Sequence, residues 1–560
     1  MAILKTRSEF GHAPPPQTPY NVITNLPGWH VGEAIRDGDH GVMKRIAHIY
    51  PRFVPMQFAA QLGRAVATYL GHPEKAALVY LNPAAWPYTL HHIAHRNRGE
   101  NRIKTSDVTL RCVDVAGHRL YVILAEPAAM PTMTLTWQNP GLGISIRGAE
   151  ELLSGIDTIE EVPLGIGDDA MPAPTWVPEG SAHGGIRERI VELLRRAPID
   201  AQKVKCTPDD VFLYATGMAA IFHSSSVVTK HKPGRIVILG IVFHNTYHHL
   251  SEECPQGMKH FGRVDNEGLA VFETWLEEEK SEGRPVSYAI AEVPGNPTLD
   301  TPDLPRLKQL SEEYGFVLLL DDTVSSFANV DILACSDILL SSLTKSFSGY
   351  ANVMGGSVVL NPLSPHYQTL RPLFESSHHN ELFSADAQVL LSNSKDFLER
   401  TKILNRNALA MATFLHDAVS LPDSPVVNVQ YPRFLPSREN YDKAMRRGSP
   451  ELPEPGYGCL MTVEFTDVDA AAAFYDTAGT GFYPSPHLGG HVTIILAYNM
   501  MVFGRRPEEK AYMHDLGVKE PSVRISAGLE DEEDLIDTLR EALQAASRAR
   551  KGVSNCNQSE

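Results

Sequence analysis

Short apolar runs alternate with helical patterns through the middle of the chain. Continuous apolar residues predict buried strands at 235–242, 286–293 and 316–321. Between them, apolar positions with helical spacing predict helices at 187–196, 218–229, 267–280 and 304–314. This βαβ alternation is typical of a mostly parallel sheet covered by helices.

The segments on either side of this middle part have other patterns. Residues 1–165 mix short strands such as 120–124 with helices such as 58–70, which predicts an α+β extension, and the Pro- and Gly-rich segment 162–178 marks a boundary. Long helices then lead to a smaller α/β region, which we expect to contain helices within 384–419, strands at 459–465 and 492–498, and a helix at 532–545. We therefore predict an extension, a large domain and a small domain at residues 1–165, 166–375 and 376–560.

Composition agrees with a large enzyme. The 560 residues are 43% apolar and 21% charged, which suits ordinary packed cores. A net charge of −17 argues against a nucleic-acid partner. No apolar run approaches the length that spans a bilayer, and the first twenty residues lack an apolar signal core. We expect a protein without a membrane partner, located in the cytoplasm.

A lysine follows one of the predicted strands. The apolar run that ends at Leu340 leads through Ser341-Ser342-Leu343-Thr344 into Lys345, so this amine stands at a strand's carboxyl end among hydroxyl groups. In α/β sheets, ligands bind in the crevice at these ends. Partial burial lowers a lysine's pKa towards nucleophilic use, as in Schiff-base lysines. Taken alone, the pattern also fits a solvated loop lysine.

Two further motifs favour the catalytic interpretation of Lys345. The strand at 316–321 delivers Asp321, and a carboxylate beside a pyridinium nitrogen keeps that nitrogen protonated. Gly217 begins an Ala-rich helix whose amide groups could hold a phosphate, although it would equally fit a close helix contact. A lysine and an aspartate on adjacent strand ends together suggest pyridoxal phosphate as the cofactor.

Five motifs in order give the chain a family resemblance. They are the turn Gly217-Met218, the loop Glu292-Val293-Pro294-Gly295-Asn296-Pro297, Asp321-Asp322-Thr323, Ser342-Leu343-Thr344-Lys345, and Arg524 to Asp531 (Arg-Ile-Ser-Ala-Gly-Leu-Glu-Asp). With them the chain resembles the Cys/Met-metabolism pyridoxal-phosphate enzymes, which include cystathionine γ-synthase, γ-lyase and β-lyase. The run from Ser342 to Gly349 and the long extension look most like the fungal cystathionine γ-synthase branch, and Leu26-Pro27-Gly28-Trp29 and Tyr50-Pro51-Arg52-Phe53 resemble elements near the start of that branch.

The resemblance implies a fold and a set of roles. The fold is that of fold-type I, aspartate aminotransferase-like transferases, with a pyridoxal-phosphate-binding large domain. Lys345 would hold the cofactor and act as the base, and Asp321 would support the ring nitrogen. The remaining cofactor-binding residues would be Gly217, Met218, Ser342 and Thr344 at the phosphate, Phe243 stacked on the ring, Thr323, and Asn296. Arg524 would bind the substrate carboxylate, with Asn296 contributing to the same site.

The implied reaction is a γ-substitution on an O-acylhomoserine, with cysteine as nucleophile and cystathionine as product. Another nucleophile, possibly a carbon one, and a C–S lyase activity are the enzymatic alternatives. A catalytically inactive binding or regulatory relative is the alternative outside catalysis, and the joint presence of Lys345, Asp321 and Arg524 counts against it. We expect amino-acid substrates and a homodimer or homotetramer.

One element of the family is absent from the segment where we expect it. Members of the family carry a Tyr-x-Arg element that reaches the neighbouring subunit's phosphate site, and residues 176–189 lack it, so Arg187 or Arg189 is expected to substitute.

Histidines cluster at positions 91, 92 and 95 and at 244, 248 and 249, but without the Glu or third ligand at a diagnostic spacing. We therefore expect no metal site.

Overall fold

The computed structural model describes residues 8–165 and 171–556, and its centre is a seven-stranded sheet. The strand order is β5-β11-β10-β9-β8-β6-β7, and β11 alone runs antiparallel to its neighbours. The strands are β5 (Val211–Tyr214), β6 (Arg235–Leu239), β7 (Met258–Phe261), β8 (Val286–Glu292), β9 (Val317–Asp321), β10 (Ile338–Ser341) and β11 (Gly356–Leu360). Every residue of β8, β9 and β10 is buried, which is why these strands have continuous apolar sequences. The predicted mostly parallel α/β sheet is confirmed.

Helices cover both faces of this sheet, following α1 to α6 of the extension, which are given below. They are α7 (Ser181–Arg195), α8 (Gly217–His231), α9 (His244–Glu253), α10 (Asn266–Ser281), α11 (Leu304–Tyr314), α12 (Ser326–Asn329) and α13 (Tyr367–Ser377). Capping sets their ends, as in α11, where Asp303 accepts a hydrogen bond from the Arg306 amide at 3.1 Å and Gly315 adopts a left-handed φ of 72°. None of the helices in the described residues is both long and apolar enough to cross a membrane.

The extension forms an antiparallel sheet of its own, with the order β1-β3-β2-β4. Its strands are β1 (Ala76–Tyr80), β2 (Val108–Val115), β3 (His118–Ala125) and β4 (Glu160–Val162). Its helices are α1 (Trp29–Arg36), α2 (His40–Met43), α3 (Gln57–Tyr69), α4 (Ala85–Ile93), α5 (Met130–Gln138) and α6 (Ile146–Ser154). The predicted helix at 58–70 is α3 and the predicted strand at 120–124 lies within β3.

The core of the extension is continuous with the core of the central sheet. One cluster of buried apolar side chains includes Leu62 and Val122 of the extension together with Ile238, Ile290 and Leu319 of the central strands. Because apolar burial is the main stabilising contribution, the extension and the large sheet stabilise each other. The predicted bounds of the domains remain a prediction, and residues 166–170 at the first bound lie outside the described part.

The C-terminal part contains a five-stranded sheet of order β12-β13-β16-β15-β14. Its strands are β12 (Val426–Gln430), β13 (Leu460–Phe465), β14 (Tyr483–Pro484), β15 (Ile494–Leu496) and β16 (Ser522–Ser526), and its helices are α14 (Ser384–Asn393), α15 (Phe397–Val419), α16 (Arg438–Ala444), α17 (Val468–Ala478), α18 (Tyr498–Phe503), α19 (Pro507–Asp515) and α20 (Glu532–Cys556). The strand expected at 492–498 is shorter, because helix α18 begins at Tyr498. A continuous apolar run does not distinguish a strand from a buried helix that follows it.

A buried charge cluster also joins the extension to the large sheet. His92 of α4 contacts Glu252 of α9 through Nδ1 at 2.7 Å and Glu253 through Nε2 at 2.5 Å, and Arg98 donates to Glu252. His91, His92 and Glu253 place possible ligand atoms within 4.8 Å of one another, but both ring nitrogens of His92 are engaged by carboxylates. The cluster therefore acts as an ion-pair contact between the two parts.

The pKa shifts in this cluster give its stabilisation a pH window. Burial opposes the charged form of Glu252, but His92 and Arg98 outweigh it and lower its pKa from 4.5 to about 2, so its contribution is lost as the pH falls below 4.5. Burial lowers the pKa of His92, but the two carboxylates raise it above 6.5, so its contribution is lost as the pH rises beyond 6.5. The full contribution is present between these limits.

Replacing Glu252 with Gln should lower the free energy of unfolding by about 3 kcal/mol near pH 5.5, because the variant leaves Arg98 and His92 buried without that carboxylate. The difference from the wild type should shrink below pH 4.5. Calorimetric unfolding across this pH range checks both points. Glu439→Gln, in the exposed pair with Lys443, is the matched control and should cost less than about 1 kcal/mol. Equal losses in the two variants would contradict the buried-pair account.

Candidate active site

The carboxyl ends of the central strands open into a cavity of about 750 Å³. Strand β9 ends in Asp321 and β8 in Glu292, and Lys345 follows the end of β10. The loop after β6 brings Phe243 to the same wall. Parallel strands direct their carboxyl ends to one edge, so residues distant in the sequence meet at this crevice.

The amine of Lys345 lies inside this cavity. Its Nζ is 3.0 Å from His487 Nδ1 and 4.7 Å from the ring centroid of Tyr50. Desolvation lowers the pKa of Lys345 from 10.5 to about 8, and the nearby Arg52 and Arg524 cations act in the same direction. A substantial fraction of the amine is therefore neutral slightly above neutral pH and available as a nucleophile or base.

Tyr50 and Arg52 enter the site from the extension of the same chain. Arg52 is 3% exposed, and it donates to the Gln138 carbonyl at 2.8 Å and to Asn245 Oδ1 at 3.2 Å. Its guanidinium carbon lies 5.0 Å from the ring centroid of Phe243. Burial would raise the pKa of Tyr50, but Lys345 and Arg52 outweigh it and the pKa falls below 10.

These two residues correct the expectation about the Tyr-x-Arg element. Arg187 pairs with Glu179, and Arg189 pairs with Glu192, and neither lines the cavity. Tyr50-Pro51-Arg52 has the Tyr-x-Arg pattern, and its tyrosine and arginine both line the cavity. This pattern does not directly precede α7, because strands and helices of the extension separate it from the large sheet by more than a hundred residues.

Two buried carboxylates lie side by side at the bottom of the cavity. Glu292 and Asp321 are register partners on neighbouring strands and are 8% and 9% exposed. Burial raises the pKa of Asp321 to about 6, and burial together with Asp321 raises that of Glu292 well above 4.5. Asp321 accepts from the Thr323 amide at 2.8 Å, and Glu292 accepts from the Phe243 amide at 2.6 Å. A buried carboxylate pair of this kind favours a cationic partner in the cavity.

A second group could hold an anion at the start of α8. Gly217 and Met218 begin this helix, and a Cβ on Gly217 would meet Ser342 Cβ at 2.8 Å, so only glycine allows this approach. The helix start supplies free amides and the positive end of the dipole. Thr323 Oγ1 accepts from the Ser342 amide at 2.8 Å and orients that loop. Thr344 lies outside the lining, fully buried, with its hydroxyl donating to the Gly355 carbonyl at 3.2 Å.

Arg524 lies on β16 and points into the cavity. It is 5% exposed and donates to Asn296 Oδ1 at 2.9 Å and to the His487 carbonyl at 3.0 Å. In the described residues it forms no ion pair, and the carboxylate of Glu530 accepts from the Thr493 amide and hydroxyl instead. A buried arginine without a carboxylate partner is suited to bind one from a ligand.

His487 is a site residue that the sequence analysis did not find. It is 1% exposed, and burial followed by Lys345 and Arg524 lowers its pKa well below 6.5, so the ring is neutral. Within the described residues its Nε2 has no hydrogen-bond partner. The loop is pressed against the lysine segment, because a Cβ on Gly489 would meet Ser346 Oγ at 2.5 Å. Its neighbours Leu488-Gly489-Gly490 signal a tight loop, but not its contact with Lys345.

Comparison with known proteins agrees with this geometry. Residues 205–544 match the family model described as Cys/Met metabolism PLP-dependent enzyme. The chain is 31% identical to an alanine racemase of Aspergillus violaceofuscus, over 97% of this chain and 98% of that protein, and 30% identical to a cystathionine gamma-synthase-like protein of Aspergillus thermomutatus, over 96% and 94%. A crystal structure of cystathionine gamma synthase from Xanthomonas oryzae pv. oryzae, in complex with aminoacrylate and cysteine, shares the fold. Its TM-score is 0.51 at 20% identity, with 67% of this chain and 100% of that chain covered.

The residues of the cavity fit pyridoxal phosphate. Lys345 offers an amine whose pKa is low enough to react, and the Asp321 and Glu292 carboxylates suit a protonated ring nitrogen. The start of α8 and the guanidinium of Arg52 suit a phosphate, which carries negative charge. The positive and negative groups of the protein are thus complementary to the charges of the cofactor.

Because Arg52 and Lys345 meet within one chain, each chain should complete its own site. Mixed oligomers of the Arg52→Ala and Lys345→Ala variants should therefore stay inactive after co-refolding or co-expression. Recovered activity would contradict this, since it requires that Arg52 of one chain serves Lys345 of another. Co-expression of wild-type chains with Lys345→Ala chains is the control that mixed oligomers remain able to turn over substrate.

Proposed function

The chain belongs to the Cys/Met-metabolism pyridoxal-phosphate-dependent enzymes, and from that premise we propose that it exchanges the γ-substituent of an O-acylhomoserine for a nucleophile. The observation that carries the proposal is that Lys345, Arg524 and the carboxylates of Asp321 and Glu292 line the same cavity. This arrangement binds an α-amino acid by its carboxylate and keeps a base near its Cα. The cofactor, when bound, supplies an electron sink that stabilises negative charge at Cα.

Lys345 moves the protons in this proposal. With a pKa of about 8, its amine can accept the Cα proton and release it again within one turnover. His487 accepts a hydrogen bond from the amine at 3.0 Å and remains neutral, so it orients Nζ without adding charge. Tyr50 lies against the same amine, and its lowered pKa makes it a second group that can exchange a proton there.

Arg524 and Asn296 orient the amino acid. The fork of the guanidinium matches a carboxylate in two parallel hydrogen bonds. Asn296 and the His487 carbonyl hold the fork in place by accepting from its two terminal nitrogens. This orientation would direct the γ-carbon towards the side of the cavity that residues of the extension such as Phe53 and Val54 line. There the Cγ–O bond breaks, the acyl group leaves as a carboxylate, and the nucleophile forms its bond to Cγ.

Cysteine is the first candidate for the nucleophile, as in the cystathionine synthases that the chain resembles. Its thiol would lose its proton and form the Cγ–S bond of cystathionine. A second candidate is a nucleophile with little charge, and the wall of the cavity favours it. Arg506, which lines the cavity from the C-terminal part, is already paired with Glu509 at 3.1 Å, so it offers no free cation for the carboxylate of a second amino acid.

We further propose that the protein works as a homodimer or homotetramer in the cytoplasm. The family resemblance supports the oligomer. Light scattering after size-exclusion chromatography tests the first proposal, and fluorescence imaging of the tagged chain tests the second.

Mass analysis of products tests the proposed reaction. Purified holoenzyme should consume O-acetyl- or O-succinyl-homoserine, and with cysteine present it should form cystathionine. Arg524→Lys should lower kcat/KM at least about tenfold, because a point charge replaces the two-bond clamp. Arg433→Lys, an arginine outside the cavity, is the matched control and should leave kcat/KM unchanged.

The outcomes separate the candidates. Cystathionine formed only with cysteine supports the synthase. Consumption of the ester with no effect of cysteine supports another nucleophile, whereas release of ammonia and a keto acid supports a lyase. If the holoenzyme leaves both esters unchanged and instead racemises an amino acid, γ-replacement is refuted.

A further inference from the structure

The extension supplies an apolar wall to the catalytic cavity. Ile35, Ile49, Phe53 and Val54 come from the segment that carries Tyr50 and Arg52, and Met130 comes from α5. The lining also includes Met43, which is 38% exposed, so the wall continues to the protein surface. The catalytic groups and this wall are parts of one cavity.

The wall adds apolar surface beside the groups that would hold the cofactor and an amino acid at Arg524. The cavity of about 750 Å³, which would hold the cofactor as well as the substrates, is in the range of pockets that enclose ligands of drug size. Of the titratable groups that line the cavity beside the wall, His248 of α9 and Arg506, which precedes α19, both contact Glu509. His244 of α9 is buried, which lowers its pKa well below 6.5 and keeps it neutral, and His40 of α2 also lies in the lining. An uncharged, apolar group therefore gains more from this surface than a polar one does.

We propose that the extension forms a binding site for an apolar carbon chain carried by one of the two substrates. The chain would lie along the wall from Phe53 towards Met43, with its reactive end at Lys345. This inference deepens the proposed γ-replacement and rests on it for the identity of the ligand, but the binding site itself does not depend on turnover. The role of the first 165 residues would then be to shape the substrate site.

The apolar carbon chain can come from two sources with the same chemistry. The chain can belong to the acyl group that leaves the homoserine, or to the incoming nucleophile. In both cases the group that contacts the wall is an unbranched or branched hydrocarbon without charge. The reacting atoms are the same as in the proposed function, so no further oxidant or reductant is required.

Binding of n-alkanols to the holoenzyme tests the site directly, because the cofactor then fills its own part of the cavity. Isothermal titration calorimetry with a series of increasing chain length should show binding that tightens about fourfold for each added methylene, equivalent to about 0.8 kcal/mol, until the wall is filled. Affinity that does not change with chain length would overturn the inference.

Two variants of the same residue type locate the site. Val54→Asp places a carboxylate on the wall and should weaken binding of the longest alkanol at least tenfold. Val427→Asp, at an exposed position of β12 outside the cavity, should leave binding unchanged. Far-ultraviolet circular dichroism confirms that both variants are folded. Equal binding by both variants would place the alkanol elsewhere and overturn the inference.

Two series with the holoenzyme identify the source of the chain. One gives homoserine esters of increasing acyl length with a fixed thiol, and the other gives O-acetylhomoserine with alkanethiols of increasing length. KM should fall as the hydrocarbon lengthens in one of the two series. That series identifies the substrate that carries the apolar carbon chain. If KM falls in neither series while turnover continues, the inference fails and the proposed function stands. If neither series turns over while the alkanols bind to the wall, γ-replacement fails and the binding site stands.

Discussion

The site depends on one constraint: buried positive side chains and buried carboxylates line the same cavity. Lys345, Arg52 and Arg524 are positive, and Arg52 and Arg524 are almost fully buried, which is costly unless anions approach them. Asp321 and Glu292 are buried together and are costly unless a cation approaches them. A ligand that combines a phosphate, a carboxylate and a protonated ring nitrogen satisfies both halves. The cofactor and an amino acid have these three charges.

The extension completes this arrangement and cannot be regarded as an appendage. Its apolar core is continuous with that of the central sheet, and the cluster around His92 and Glu252 adds a buried ionic contact. Trp137 and Gln138 of α5 donate to the carbonyls of Pro51 and Phe53 and so hold the segment that places Tyr50 beside Lys345 and Arg52 beside Phe243. The same segment continues as the apolar wall. The charged site and the shape of the substrate cavity therefore both depend on a stably folded extension.

Much of this site could be predicted because its motifs are local. Lys345, Asp321 and Gly217 each stand where a buried strand ends or a helix starts, and a parallel sheet brings such ends together without further information. Tyr50, Arg52 and His487 could not be located in this way, because loops far apart in the sequence bring them to the lysine. The length of β15 was predicted wrongly for a related reason, since apolar residues continue from that strand into α18.

Identification of the lysine that binds the cofactor tests the account most directly. Borohydride reduction of the purified holoprotein, followed by proteolysis and mass spectrometry of the pyridoxyl-labelled peptides, locates the attachment point. The label is expected on Lys345 and should be lost in the Lys345→Arg variant. A label on another lysine, with Lys345 unmodified, would contradict the assignment of the cavity as the catalytic site.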